Sequence, residues 1–244
     1  NSSDSGRLAM LEVLVPKLYR IEGSVALELM ETAGHDSGRL AMLKALLPKL
    51  DLRDADEMLA LVETNSSDSG RLAMLEVLLP ELDRIEGSGA VKLVETASFD
   101  SGRLAMLKAL LPKLDLRDAD EMLALVETNS SDSGRLAMLK IGVKLGWNFP
   151  AIRDDDLISY AEVCSSDRDR NEMMEVVAPH FEGGFTQWSA TRLLWAFTFD
   201  SGRLDAVELF QEELQELSEQ DRRYILREFS QGSSREKAEE LLLR

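Results

Sequence analysis

Seven arginines recur along the chain, at Arg7, Arg39, Arg71, Arg103, Arg135, Arg170 and Arg203. A guanidinium presents its donors in a planar fork that suits carboxylate and phosphate, so a row of them is a candidate ladder for an anionic partner. Each arginine falls in the first turn of a predicted helix, where the helix dipole already supplies partial positive charge. The placement demands a compensating anion. Two sources are open: an acid on the same or the adjacent unit, such as Glu31, Glu63, Glu95 or Glu127, or an anionic partner bound along the row.

Other reactive side chains are few. Nucleophilic catalysis needs a base beside a serine or cysteine, yet the histidines are only His35, on a linker, and His180, near a helix end, while Cys164 stands alone. Asp154-Asp155-Asp156 lacks the glycine and closing glutamate of a calcium loop, and its position before Leu157-Ile158 suits a helix start. No catalytic residue, metal, cofactor or small-molecule substrate is expected. Asn1-Ser2-Ser3, Asn65-Ser66-Ser67 and Asn129-Ser130-Ser131 have the form of glycosylation acceptors. Either they carry glycans along one edge, or they descend from one duplicated linker.

The elements that carry these residues repeat. Asp-Ser-Gly-Arg-Leu starts at Asp4, Asp36, Asp68, Asp100 and Asp132, each step being 32 residues, and again at Asp200. A diverged unit starts near Asp167, with Met173 and Pro179 on the motif's Met and Pro. Residues 36 to 67 recur without change at 100 to 131, and residues 4 to 35 match 68 to 99 at all but nine positions. Such identity reflects duplication or engineering of a 64-residue pair. The first three residues repeat the linker at 65 to 67, so an upstream array is expected.

Each unit reads as two helices. In the first, Asp36 is the expected N-cap, and Leu40, Leu43, Leu46, Leu47 and Leu50 form one apolar face that Pro48 ends. In the second, Asp54-Ala55-Asp56-Glu57 has capping-box spacing. Gly87-Ser88-Gly89 replaces that start in the alternate unit, which predicts a shorter or weaker helix. Hairpins this short must stack on their neighbours. The expected fold is therefore all-α, an α-solenoid of about seven two-helix units, about 60 to 70 Å long with adjacent helices about 10 Å apart. Residues 1–131 form four near-identical repeats, 132–230 three diverged and aromatic-richer ones, and 231–244 a partial terminal or capping helix. In the diverged part an insertion brings Trp147 and Phe149, and Trp188, Trp195, Phe197 and Phe199 are expected to thicken the core. If the chain is a spacer, end-to-end association is expected through an uncapped first unit with Leu8, Leu11 and Leu14 at its surface.

The segment Leu193-Leu194-Trp195-Ala196-Phe197-Thr198-Phe199-Asp200-Ser201-Gly202-Arg203-Leu204-Asp205-Ala206-Val207-Glu208-Leu209 resembles the uncharacterised helical domain at the amino end of animal proline- and serine-rich proteins. The resemblance extends from Asp154 to about Leu243. It implies an all-helical domain used in protein contacts within larger assemblies and brings no catalytic residues with it. The front array departs from that family in its tandem near-identical copies. A weaker resemblance, carried by Glu57 through Arg71 and on to Pro80, is to the short-helix, loop, long-helix plan of transcription-activator-like effector repeats, which bind DNA. Here the loop is one residue shorter.

A formal charge of −17 opposes the phosphate attraction on which non-specific nucleic-acid binding rests. No apolar run is long enough to span a bilayer. The sequence thus points to a non-enzymatic helical-repeat scaffold or structural protein that contacts a protein partner or associates with itself. The rivals are a dedicated protein-binding module in residues 132–244, an engineered array and, remotely, a nucleic-acid-binding array. The single cysteine leans towards the cytoplasm, and glycosylated sequons would point outside the cell.

Overall fold

The computed structural model describes residues 3–144, 151–230 and 232–243. The chain is all-α, with sixteen α-helices and four two-residue strands among the described residues. It divides into two compact units, Asn1–Leu116 and Arg117–Arg244. Trp147 and Phe149 lie outside the described residues.

In the first unit the leading helix of each hairpin is α1 (Asp4–Leu14), α3 (Asp36–Leu46), α5 (Asp68–Leu78) or α7 (Asp100–Leu110). The second helices are α2 (Gly23–Glu31), α4 (Ala55–Glu63) and α6 (Gly87–Glu95). Each leading helix packs on the next leading helix, and each second helix on the next second helix, giving two layers. The cause is visible in α3, whose Met42, Leu43 and Leu46 are fully buried at spacings that keep them on one face. Pro48 lies in a 3-10 turn, Leu47–Lys49, that closes the helix, as a residue without a backbone N–H must. The same turn follows α1, α5 and α7. Where Lys144 replaces the proline, the helix runs for 13 residues rather than 11. Of the leucines of α1 expected at the surface, Leu14 is exposed, but Leu8 is half-buried and Leu11 buried.

The second helices also follow from their first residues. Asp54 accepts the backbone N–H groups of Asp56 and Glu57, both at 3.0 Å, and the Glu57 carboxylate returns to the N–H of Arg53 at 3.0 Å. The expected shortening of the glycine-started helix does not occur: α6 has nine residues, as α4 does. A Cβ on Gly89 would stand 2.8 Å from the Cβ of Ala55, so this glycine lets the two second helices approach closely. Short parallel bridges, not expected from the residue pattern, also link the hairpins. Ile21 pairs with Leu50 and Ile85 with Leu114, which fixes the register of neighbouring hairpins.

The second unit keeps the two layers. Its leading helices are α9 (Asp132–Lys144), α11 (Asp167–Val177) and α13 (Asp200–Leu209), and its second helices are α8 (Ala119–Glu127), α10 (Asp154–Glu162) and α12 (Gln187–Ala196). Short helices α14 (Gln211–Gln215) and α15 (Glu219–Ile225) lead to α16 (Ser233–Leu243), which covers α13. Helix α16 buries Ala238 and Leu242 while Glu236, Lys237, Glu239 and Glu240 are exposed, and Arg222, Gln211 and Gln215 donate to its last carbonyls.

The aromatic core differs from expectation. Phe197 is buried, and Phe181, Phe185 and Phe210 form a ring cluster with centroids 5.0 to 5.8 Å apart. Trp188, Trp195 and Phe199 are instead 61%, 52% and 66% exposed. The helix period explains the tryptophans: Ala190, Leu193 and Leu194 already take the inward face of α12, which leaves positions 188 and 195 outside.

Candidate functional site

The recurring Asp-Ser-Gly-Arg motif lies at the amino end of every leading helix but α11, where Asp167-Arg168-Asp169-Arg170 stands in its place. Its aspartate is not the N-cap expected from sequence. The N-cap is the preceding residue, Ser3, His35, Ser67, Phe99, Ser166 or Phe199, and the aspartate is the first helical residue. Its carboxylate is thereby free to reach the linker that enters the next leading helix. Asp36 accepts the N–H groups of Ser66 and Ser67 at 3.0 and 3.1 Å and the hydroxyl of Ser67 at 2.7 Å. Asp68 accepts from the N–H groups of Ser98 and Phe99, Asp167 from those of Thr198 and Phe199, Asp4 from that of Gly34, and Asp200 from that of Ser230, all at 2.8 to 3.2 Å. Asp132 does the same with the N–H of Ser165 at 2.8 Å.

The electrostatics match this geometry. Burial pushes the Asp36 carboxyl upwards, but hydrogen bonds from Ser66 and Ser67 outweigh it and bring the pKa down to about 2. Asp132 and Asp167 are lowered in the same way against their burial, by Ser165 and Ser166 in one case and by Thr198 and Phe199 in the other. Asp4 is lowered chiefly by the Gly34 N–H. An anion that accepts several N–H bonds prefers its charged form.

The glycine makes room for the preceding unit's aspartate. A Cβ on Gly38 would lie 2.3 Å from Oδ2 of Asp4, one on Gly70 2.7 Å from that of Asp36, and one on Gly102 2.5 Å from that of Asp68. Each would collide. The diverged unit has Asp169 at the glycine position, and its carboxylate accepts the Ser166 hydroxyl, whose counterpart at Ser67 goes to Asp36, while Asp132 keeps the N–H and hydroxyl of Ser165.

The arginine ladder resolves in favour of pairing within the chain. Arg7, Arg39, Arg71, Arg103, Arg135, Arg170 and Arg203 each meet the aspartate three residues earlier on the same helix, at 2.7 to 3.4 Å. The suggested partners Glu31, Glu63, Glu95 and Glu127 are corrected accordingly: an intrahelical i, i+3 reach is shorter. The guanidinium groups also donate to carbonyls at the ends of the second layer. Arg71 bonds Thr96 at 2.6 Å and Arg135 bonds Val163 at 2.9 Å. Arg103 bonds Ala97 and Arg170 bonds Ala161. Arg203 bonds the carbonyls of Leu194, Phe197 and Glu228. Carbonyls at helix carboxyl ends carry partial negative charge. A cation at one helix's amino end is thus balanced by an aspartate and by the carboxyl ends of other helices.

The other candidates fall into place around this latch. Cys164 is buried, and burial, aided by Asp132 and Asp169, raises its thiol to about 11. His35 is on an exposed linker and His180 closes a 3-10 turn. Asp154 opens α10, and Asp156 accepts the N–H of Arg153 at 2.8 Å, so the triple aspartate is a helix start. Among the described residues no group of three His, Cys, Asp or Glu side chains converges as a metal site. Asn65 and Asn129 are buried, donating to Gly70 O and Met138 Sδ respectively. A glycan at either position has no path to solvent from the folded chain, which removes those sequons as an argument for secretion. Asn1 lies outside the described residues.

One groove of about 550 Å³ runs between hairpins of the first unit, with Arg53, Arg84 and Lys92 in its wall. Its cations pair with carboxylates, Lys92 with Asp56 at 2.7 Å and Arg84 with Asp115 at 3.0 Å. No described helix is long and apolar enough to cross a membrane. Comparison with protein-family models, curated proteins and solved structures finds no match.

Proposed function

We propose that the chain is a non-enzymatic helical-repeat scaffold, an α-solenoid whose surface makes contacts with proteins or with further copies of itself. The observation that carries this reading is the use of the motif. The aspartates, glycines and arginines that recur in the units are engaged in joining one hairpin to the next, so the most regular polar feature is a latch. The Cys164 thiol is buried and raised to about 11, which keeps it protonated and unreactive near neutral pH. The likeness of residues 193–209 to the helical domain of proline- and serine-rich proteins belongs to the same reading. Against nucleic acid stand the charge of −17 and a linker whose Ser66 and Ser67 donors are already held by Asp36.

A second reading, a dedicated protein-binding module within residues 132–244, is favoured by the exposed Trp188 and Trp195. Their rings meet edge to face at 5.7 Å on the outer side of α12, and exposed aromatic pairs are common anchors of protein interfaces. The test is affinity capture from cell extract by the full chain and by a Trp188→Ala, Trp195→Ala variant, with and without nuclease. A stoichiometric protein retained after nuclease is expected, and its loss from the variant would favour the module. Retention that disappears with nuclease would overturn the scaffold reading.

A further inference from the structure

We infer that the outer face of α12 is a docking site for a basic segment of a partner protein, a lysine or arginine side chain of which lies against Trp188 and Trp195. The inference rests on the reading of residues 132–244 as a protein-binding module and names the chemistry of its partner. Trp188, Arg192 and Trp195 follow one another at steps of four and three residues, so they share one face of the helix. The two indole planes stand at 88° with their centroids 5.7 Å apart, which makes the pair a corner and not a stack. A cation placed in that corner meets the electron-rich faces of both rings.

Glu228 selects among possible guests. The turn Leu226–Glu228 packs on α12, and the Glu228 carboxylate accepts the Trp195 indole N–H at 2.5 Å. The ring's single donor is thereby occupied. A proline-rich ligand that needs this N–H for one of its carbonyls is poorly served. A cation gains twice: the carboxylate adds negative charge beside the ring, and by drawing on the N–H proton it leaves the ring face richer in electrons. Two more carboxylates flank the pair from α10. Glu162 and Asp155 hold the Arg192 guanidinium at 3.4 and 3.7 Å, which draws it towards α10, and both acids remain largely exposed. Arg227, beside Glu228 in the chain, lies over the Tyr224 ring at 5.3 Å, so the same unit already uses one contact of this kind. Near the tryptophans the three carboxylates outnumber these two arginines, and the balance favours an incoming cation.

The probe is a short peptide of alternating lysine and glycine, with the same peptide acetylated on its lysines as the uncharged control. Titrated into the isotope-labelled full chain, the lysine peptide should move the indole N–H resonances of Trp188 and Trp195, assigned by substitution, and the acetylated peptide should move neither. A chain of charge −17 attracts any polycation at long range, so the decisive variant leaves that charge alone. Trp188→Leu together with Trp195→Leu keeps an apolar surface and removes the ring faces, and should weaken binding of the lysine peptide, read by calorimetry, by about tenfold. Glu228→Gln should weaken it by about threefold. Equal binding of the acetylated peptide, a lysine peptide that leaves both indoles unmoved, or undiminished affinity in the double-leucine variant would overturn the proposal. If any of these results accompanies loss of a captured protein from the Trp188→Ala, Trp195→Ala variant, the module stands and only the basic partner falls.

Discussion

Gly70→Ala should fail to stabilise the chain, although alanine is the better helix former, and should do better once Asp36 is removed. Exchanging glycine for alanine inside a helix ordinarily stabilises by about 1 kcal/mol. At Gly70 the new methyl would stand 2.7 Å from Oδ2 of Asp36, so the carboxylate must retreat from the linker. What it gives up can be gauged from its pKa: a fall from 3.8 to about 2 corresponds to about 2.4 kcal/mol at about 1.4 kcal/mol per unit. Asp36 is partly exposed, and solvent screening reduces that to about 1 to 2 kcal/mol. Gly70→Ala alone should therefore come out neutral to about 1 kcal/mol destabilising. In an Asp36→Ala background it should be neutral to about 1 kcal/mol stabilising, the remaining contacts being Ser67 Oγ at 2.9 Å and Asn65 Nδ2 at 3.2 Å. The assay is a double-mutant cycle by urea denaturation, with hydrogen exchange at Ser66 and Ser67 as the local readout, because stacked repeats need not unfold in one step. A coupling of about 1 kcal/mol or more is expected. An identical effect of Gly70→Ala in both backgrounds would refute the role given to this glycine.

Three further outcomes follow from the same geometry. Because the folded pKa of Asp36 is depressed to about 2, its contribution is present above about pH 4 and is lost as pH falls from there through 2; Asp132 and Asp167 act in the same direction. Thermal melts should therefore drop steeply over that interval, with a smaller drop in Asp36→Asn. Arg203→Ala frees the carbonyls of Leu194, Phe197 and Glu228 and the carboxylate of Asp200, and should cost about 2 to 4 kcal/mol in unfolding experiments; Arg203→Lys should recover only part, since one ammonium cannot span the fork. Cys164 should react with a thiol reagent at pH 8 much more slowly in the native chain than in urea, reflecting burial and a pKa of about 11. Equal rates would contradict its place in the core.

Much of the fold could be read from side chains alone. The 32-residue period, the apolar face of α3, the turn at Pro48 and the cap at Asp54 each act within a few residues, where spacing determines contact. The latch was harder to see because Asp36 and Ser66 are 30 residues apart, and only the stacking brings them together. One signal did exist: a glycine in the first turn of most units is unfavourable for a helix unless something must come close. The arginines were legible as needing an anion but not as to which one. Carbonyls, which carried much of that role at Arg203, leave no mark in a sequence. Trp188 and Trp195 were misplaced because size alone suggested the core, while the period of α12 had already filled its inward face with Ala190, Leu193 and Leu194.

The central claim is that within each unit the motif joins one hairpin to the next by holding the intervening linker. Hydrogen exchange read by mass spectrometry on the full chain tests it most directly, at the N–H groups of Gly34, Ser66, Ser98, Phe99, Ser165, Thr198, Phe199 and Ser230. The account predicts that these linker amides exchange as slowly as those inside the adjoining helices, and that Asp36→Ala releases Ser66 and Ser67 alone. Linker amides that exchange at the rate of an open loop, or that are indifferent to the loss of Asp36, would contradict it.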